Sequence, residues 1–355
     1  HMWLPKLVER ALEGGNPALL STYLRGRADA SETEWLQDLL DEWATKREMA
    51  SLAFEVTWRN EPSERAARRA IDLVDKEWIP PAGLSRLAWG RWPQTLSVGM
   101  FRLVLDRLSQ DDSAAATEAA LAMLLRWLEE NPNGVTKVAQ EAWTFLERPV
   151  ALSGQGMTTF YWKNVASRYV SQSPRRIASS TLSIFESEDV VVLQSDERLE
   201  VLREALLADP EGVWEQIGEV LLREDELGFR FRLSLREWGV EIAGRKTLLE
   251  WAERHRPRGP RILAKMATPL SPLARTLLAR YPEDEAVGGA ITATFLSGSW
   301  WGPESSWLES KLSTARAWCD DPNPAIQDWA RELVTMTEQD LKRVRLAEEE
   351  EFMRQ

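Results

Sequence analysis

The chain has 355 residues, of which 44% are hydrophobic and 28% charged, a balance typical of folded proteins and not of disordered ones. Its net charge of −12 opposes binding to nucleic acid and to anionic membranes, and no apolar run approaches the ~18 residues of a membrane span. The single cysteine, Cys319, excludes an internal disulfide and favours a cytoplasmic protein.

Apolar residues recur at helical spacing along most of the chain. The pattern predicts helices over residues 31–46, 196–208, 247–255 and 326–344, each with one apolar face. Strand-like alternation is nearly absent. We therefore predict an all-α protein.

Two pieces, 190–193 and 229–235, do look strand-like, but both are short enough to be the ends of helices. Two other stretches, 152–159 and 297–303, are rich in glycine and serine and are predicted to be loops. The first of these loops is the candidate boundary between two regions. These are an N-terminal helical repeat region, 3–150, and a C-terminal helical region, 151–355, with a charged terminal helix.

Helix starts carry a recurrent signal, in which a capping side chain precedes a proline. The side chain accepts a hydrogen bond from the first turn, and proline is tolerated at the first helical position. Short turns between many short helices favour antiparallel helix pairs. The capping pairs are Asn16-Pro17, Ser173-Pro174, Asp209-Pro210, Ser271-Pro272 and Asn323-Pro324.

One phrase occurs twice, in 61–71 and in 321–333. Each copy opens with an acid and a proline, has a small residue inside the helix, and continues with an aliphatic residue. The phrase resembles the second helix of HEAT-type repeats. This resemblance implies an irregular HEAT-like α-solenoid of antiparallel helix pairs.

The residues from Ser297 to Ala330 carry a second resemblance, through Ser-Gly-Ser-Trp-Trp-Gly-Pro, Asp-Pro-Asn-Pro and Trp-Ala. They are similar to the C-terminal ends of helical-repeat regions in large bacterial conflict-system (antiphage) proteins, including STAND-type NTPases. In those proteins the repeats act in target sensing or assembly. The chain has no P-loop motif, so the resemblance implies a sensor region without its nucleotide switch.

The chain contains 18 tryptophans, most of them on apolar helical stripes, where we predict core packing. The clearest examples are Trp35, Trp43, Trp127, Trp143, Trp251, Trp318 and Trp329. Trp300 and Trp301 instead form an adjacent pair in the second loop, and both rings cannot easily point inward. We predict that Trp300, Trp301 and Trp307 contact a protein partner.

Arginine outnumbers lysine by 35 to 9. Arginine makes planar, forked contacts that lysine cannot, but a GC-rich genome gives the same bias, and composition leaves both explanations open. The segment 228–261 is basic, and its dense stretch 254–261 is predicted to be a loop. As an alternative function, this segment would bind the phosphates of nucleic acid or a nucleotide. The candidate anion-binding residues are Arg230, Arg232, Arg254, Arg256, Arg258 and Arg261.

Catalytic side chains are scarce. His1 belongs to a His-Met pair typical of a cleaved affinity tag, which leaves His255 for any triad or zinc site. The acid pairs 111–112 and 320–321 precede helices, where carboxylates stabilise the helix N-terminus. We predict no catalytic residue, no metal and no cofactor, although a hydrolase with an unrecognised carboxylate site stays as a further alternative. The favoured function is a protein-interaction, sensor or scaffold module.

Overall fold

The computed structural model describes residues 3–28, 33–149, 157–187, 197–236, 238–269, 271–298 and 301–354. Over these ranges the regular structure is helical and contains no β-strand, so the predicted all-α class is confirmed. The strand-like piece 229–235 lies inside a helix, whereas 190–193 is outside the described residues.

The chain divides into two compact units. Unit 1 comprises residues 1–173 with 187–189, and unit 2 comprises residues 174–186 with 190–355. Within each unit, the more extensive helix contacts join elements that are close along the chain. Examples are Pro17–Arg27 with Ala50–Arg59, Ala114–Glu130 with Thr158–Ser167, and Arg258–Met266 with Glu285–Phe295.

The predicted boundary between residues 150 and 151 lies outside the described residues. The chain that follows it packs on unit 1. Trp162 Nε1 donates to the carbonyl of Leu146 (3.0 Å), and the Tyr169 hydroxyl donates to the carbonyl of Val135 (3.1 Å). The segment 157–173 is thereby part of unit 1.

Unit 1 is built from short helices, with 3₁₀ segments at Arg47–Met49, Pro81–Ala88 and Pro132–Val138. Its α-helices within the described ranges are α1 Leu4–Leu12, α2 Pro17–Arg27, α3 Thr33–Trp43, α4 Ala50–Arg59, α5 Glu64–Asp75, α6 Trp92–Thr95, α7 Val98–Leu108, α8 Ala114–Glu130, α9 Ala139–Leu146 and α10 Thr158–Ser167.

Unit 2 continues the same pattern. Its α-helices within the described ranges are α11 Pro174–Ser187, α12 Glu197–Ala208, α13 Pro210–Leu221, α14 Glu226–Leu235, α15 Gly239–Arg254, α16 Arg258–Met266, α17 Pro272–Arg280, α18 Glu285–Phe295, α19 Glu304–Trp318 and α20 Pro324–Arg354. Helix α15 is broken at Gly244, whose φ of 76° suits glycine.

The prediction of a loop over 254–261 is wrong. Helix α15 ends at Arg254 and α16 already begins at Arg258, so only three residues lie between them. Pro260 stands in the first turn of α16, where a backbone N–H has no partner within the helix and its loss costs little.

The predicted helix starts are present in the structure. Helices α2, α11, α13, α17 and α20 all begin at the proline of a capping pair. Side chains that accept hydrogen bonds of 2.9 to 3.2 Å from first-turn amides belong to Asn16, Asp209, Ser271 and Asn323.

Indole rings fill the cores of both units. Five of the seven tryptophans predicted to be buried are buried, whereas Trp35 and Trp318 are half-buried. Trp127 stacks on Phe101 with ring centroids 5.3 Å apart, and Trp251 packs edge to face against Trp214 at 6.1 Å. Further buried indoles belong to Trp92, Trp162 and Trp214.

Glycine gives two of these rings their space. A β-carbon at Gly218 would overlap Nε1 of Trp251, and a β-carbon at Gly134 would lie 2.5 Å from the ring of Trp127. Hydrogen at these two positions lets the indole lie directly against the opposite backbone.

Tryptophan side chains also cover carbonyl groups at helix C-terminal ends, which lack partners within their own helix. Trp92 Nε1 donates to the carbonyl of Trp58 near the end of α4 (3.1 Å). Trp162 Nε1 covers the last carbonyl of α9 in the same way. Each indole therefore contributes both packing area and a hydrogen bond.

Arginines play the same part elsewhere. Arg25 of α2 donates to the carbonyl of Arg59, the last residue of α4. Arg232 of α14 donates to the carbonyl of Leu221, the last residue of α13, at 2.8 Å. These bonds join a side chain of one helix to the C-terminal end of a neighbouring helix.

A buried arginine joins the helices α3, α4 and α5. Arg69 is 3% exposed and donates to Asp41 (2.5 Å), to the Thr57 hydroxyl (3.0 Å) and to the Gln37 side-chain oxygen (2.7 Å). Burial lowers the pKa of Arg69, and the hydrogen bond to Asp41 opposes that shift. The guanidinium is thus a structural group with all its sides engaged.

Helices α19 and α20 form an antiparallel hairpin. Glu348 accepts from the backbone of Ser305 (3.1 Å) near one end, and Arg316 pairs with Glu338 (2.7 Å) near the other. The 31-residue α20 is the predicted charged terminal helix, and no described helix combines the length and apolarity needed to cross a bilayer. Between the two helices lies the leucine cluster of Leu308, Leu312 and Leu341.

The cap of α13 generates a pH-dependence prediction. Hydrogen bonds from Arg175 (2.5 Å) and the amide of Gly212 (2.9 Å) hold the pKa of Asp209 below its usual value. Asp209→Asn keeps a good N-cap but loses the charge, so it should lower the free energy of unfolding by about 0.5–1 kcal/mol near pH 7. Because the pKa of Asp209 is depressed, its contribution is fully present above the ordinary value of ~3.9, so the difference should shrink as the pH falls below that value and vanish below the lower pKa of the folded chain.

Urea unfolding at a series of pH values measures this effect. Arg175→Gln is the matched control and should reproduce the same loss at neutral pH, because it removes the other partner of the pair. A difference between Asp209→Asn and the parent chain that stays constant down to about pH 3 would contradict the assignment.

The core indoles generate a second prediction. Trp251→Ala should cost about 3–5 kcal/mol of unfolding free energy, because Trp251 is fully buried and leaves a cavity. Trp301→Ala, in the same unit, should change it by less than about 0.5 kcal/mol, because its side chain is fully exposed. Chemical denaturation of both variants checks the contrast, and equal effects would show that the burial is misassigned.

Candidate functional site

The three predicted partner-contact tryptophans have different settings. Trp301 is 100% exposed and lies just before α19, whereas Trp300 is outside the described residues. Trp307 is half-buried on α19, where it packs against the leucine cluster with Lys311 5.5 Å above its ring. Trp301 is thus available for contact, and Trp307 is partly used in the fold.

The predicted anion-binding arginines of α14 have acceptors within unit 2. Arg230 pairs with Glu226 at 2.8 Å. Arg232 donates to the carbonyls of Leu221 (2.8 Å) and Arg223 (3.1 Å), and burial lowers its pKa. Both guanidinium groups hold local structure.

Two neighbouring side chains share one carboxylate on α13. Arg254 donates to Glu215, and His255 Nε2 lies 3.0 Å from the other oxygen of the same group. Burial raises the pKa of Glu215, but the hydrogen bonds from His255 and Arg254 outweigh it and hold the pKa below its usual value. The arrangement joins α15 to α13.

The next two candidate arginines, Arg256 and Arg258, also have partners within unit 2. Arg256 pairs with Glu253 and lies 4.7 Å above the ring of Tyr281. Arg258 donates to the carbonyl of Leu222 and lies 3.3 Å from Glu224.

Arg261 pairs with Asp284 at 3.1 Å. A cavity of about 720 Å³ lies beside it, and its lining mixes both signs of charge. The basic residues there are Arg256, Arg261 and Arg280, and the acidic ones are Glu283, Asp284 and Glu285. The basic segment is therefore largely neutralised by the protein itself, and anion binding there stays a prediction.

A different surface of unit 1 concentrates exposed arginine and tryptophan. We call it the Trp–Arg groove, an open cavity of about 480 Å³ between α2, the C-terminal end of α4 and the turn before α6. Its lining residues are Ala18, Ser21, Thr22, Arg25, Trp58, Arg59, Asn60, Glu61, Pro62, Trp89, Gly90, Arg91 and Trp92.

The floor of the groove is the end of α4. Asn60 is buried and donates to the carbonyl of Val56 (2.6 Å), while Trp92 and Arg25 cover the carbonyls of Trp58 and Arg59. These bonds fix the floor from three sides. The groove is therefore a preformed surface.

The wall of the groove is the turn at residues 89–91. Gly90 has a φ of 69°, a conformation that favours glycine, and it leaves Trp89 53% exposed and Arg91 exposed. Trp92, by contrast, is buried beneath them. Two tryptophans three residues apart thus have different roles, since Trp92 packs in the core and Trp89 lies at the surface.

Guanidinium groups lie over the indole faces of the groove. Arg59 lies 4.2 Å from the ring centroid of Trp58, and Arg86 lies 5.5 Å from the same ring. Arg126 lies 5.3 Å from the ring of Trp89. Such cation–π contacts hold the rings and the cations in fixed positions.

Sequence reasoning missed this groove. Its signal was the run Trp89-Gly90-Arg91-Trp92, in which a glycine between large residues marks an exposed turn. A second signal was Trp58-Arg59 at the end of a helix, but nothing local shows that the two segments meet.

The described residues contain no group of three His, Cys, Asp or Glu side chains that could hold a metal ion. The acids 111 and 321 instead accept from backbone amides just ahead of α8 and α20, at 2.8 and 2.9 Å.

No family model, curated protein or solved structure matches this chain.

The contrast between the two sets of arginines is testable. Arg258→Glu should lower the unfolding free energy by about 1 kcal/mol, because it uncovers the carbonyl of Leu222 and places like charge beside Glu224. Arg91→Glu should change it by less than about 0.5 kcal/mol, because the groove arginine is not needed for folding. Urea denaturation measures both, and a larger loss for Arg91→Glu would reverse the assignment.

Proposed function

We propose that this chain is a non-catalytic, cytoplasmic module that binds a protein partner and acts as a sensor or scaffold. The observation that carries the proposal is the Trp–Arg groove, where exposed indole and guanidinium groups share one preformed surface. Tryptophan and arginine are enriched at the energetic centres of protein interfaces, where they bury large areas and make directional bonds.

The exposure of these rings contrasts with the burial of the core indoles. Trp127, Trp162 and Trp251 are buried, whereas Trp3 is 59%, Trp89 53% and Trp301 100% exposed. Of these exposed rings, Trp89 shares its surface with the other large side chains of the groove, which is a feature of binding surfaces. Trp89 and Trp301 both offer contact area that the fold does not use.

We propose that the fold is an irregular HEAT-like α-solenoid of antiparallel helix pairs. The short capped helices, their contacts with elements close along the chain, and the α19–α20 hairpin support this arrangement. Such arrays present extended surfaces to protein partners because each helix pair contacts mainly its neighbours.

The resemblance of residues 297–330 to repeat regions of bacterial conflict systems supports a role in antiphage defence. The exposed Trp301 lies in that stretch and fits target sensing or assembly. Deleting the gene from its native host should then increase sensitivity to at least one phage.

Partner capture tests the proposal. The purified chain, immobilised in extract of its native host, should retain a protein in stoichiometric amount. Trp89→Ala or Trp301→Ala should reduce that retention by about tenfold or more, because each removes a large contact side chain without loss of stability. Quantitative mass spectrometry measures the recovered protein, and binding is then repeated with the purified pair.

Met157→Ala is the matched control, because this side chain is also exposed (49%) and lies outside the groove. It should leave retention unchanged. Equal retention by the parent chain and by both tryptophan variants would contradict the proposal, as would substrate turnover that one acid-to-alanine change abolishes.

A further inference from the structure

The Trp–Arg groove carries positive charge that its surroundings do not neutralise. Arg91 lines the groove, and Arg86 borders it 5.5 Å from the ring centroid of Trp58. Both are exposed, and no carboxylate in the described part of the chain lies within ion-pair distance of either. Elsewhere in unit 1, Arg65 and Arg107 lie against aspartates at 2.5 to 2.6 Å. Within a chain of net charge −12, the groove is therefore a local site of attraction for anions.

Arg126 beside the groove also has no carboxylate within ion-pair distance in the described ranges, and it lies over the ring of Trp89. Glu55 lies outside the groove lining and already accepts from Arg59 (3.2 Å) and from the Trp58 N–H (3.0 Å). Glu61 lines the groove and is exposed. The cations outnumber the acids, so the surplus charge is free to meet a ligand.

The stacking geometry selects among anions. The Trp58 ring already has two guanidinium groups within 5.5 Å, so little of its face remains for a nucleobase. The Trp89 ring has one guanidinium and stays 53% exposed, which leaves room for one apolar side chain. A stacked guanidinium keeps its in-plane N–H groups, which fit the two oxygens of a carboxylate. The groove therefore suits a carboxylate beside an apolar side chain better than a run of stacked bases.

We infer that the Trp–Arg groove binds an acidic linear segment of a protein partner, with Asp or Glu side chains on Arg86 and Arg91 and an apolar side chain on Trp89. This inference rests on the proposed function and names the chemical class of the partner. The whole-chain charge agrees with it, because a net −12 disfavours long nucleic acids more than a short acidic peptide.

Selection from a random peptide library displayed on phage tests the inference without knowledge of the partner. Peptides retained by the purified full chain should be enriched in Asp and Glu next to an aromatic or aliphatic residue. The best peptide, labelled and measured by fluorescence anisotropy, should bind at least about tenfold more weakly to the Arg86→Glu/Arg91→Glu variant and to Trp89→Ala. Its affinity should also fall as salt rises.

Arg47→Glu/Arg68→Glu is the matched control. It makes the same change of charge at two exposed arginines of unit 1 that do not line the groove, and it should leave peptide affinity within about twofold. Circular dichroism confirms that both double variants stay folded.

Four results would overturn the inference. In the selection, they are enrichment of peptides without acidic residues, or no enrichment at all. In the binding measurements, they are an equal loss of affinity in both double variants, or tighter Trp89-dependent binding of a single-stranded oligonucleotide than of the peptide. If the captured partner still binds the Arg86→Glu/Arg91→Glu variant, the proposed function stands and the acidic-segment assignment fails. If neither peptide nor partner binds the parent chain, both fail.

Discussion

Helix C-terminal ends carry carbonyl groups without partners, and a protein of many short helices has many such ends. Here long side chains from elsewhere in the sequence cover them. Indole N–H groups do so at the ends of α4 and α9, and guanidinium groups do so at the ends of α4 and α13. Both groups are donors that cannot accept a hydrogen bond, which suits a carbonyl partner. At these helix ends, tryptophan and arginine therefore have a structural role that composition alone does not reveal.

Sequence patterns within single segments predicted the features that depend on interactions within those segments. The helical class, the proline-led helix starts and the burial of Trp43, Trp127 and Trp251 follow from spacing and capping within single segments. The loop predicted over 254–261 was wrong because a dense run of charged residues was interpreted as an irregular segment. Only residues 255–257 lie between α15 and α16, and acids elsewhere in unit 2, such as Glu215 and Asp284, pair with Arg254 and Arg261.

The candidate binding surface was harder to predict because it depends on segments distant in sequence. The predicted arginine cluster of unit 2 meets carboxylates and carbonyls, whereas Arg86 and Arg91 of unit 1 remain exposed. Composition treats these arginines alike, and what separates them is whether a carboxylate or a carbonyl lies within reach in the folded chain. Whether an arginine serves folding or binding is thus a property of its partners in space.

The contact between Gly218 and Trp251 has an evolutionary consequence. A methyl group at 218 and a full indole at 251 cannot occupy their positions together, so neither position can vary alone without loss of stability. Homologues that carry alanine or serine at 218 should have a smaller ring or an aliphatic residue at 251. Covariation between these two positions, and between Gly134 and Trp127, would reveal which distant relatives share this core even where overall similarity has been lost.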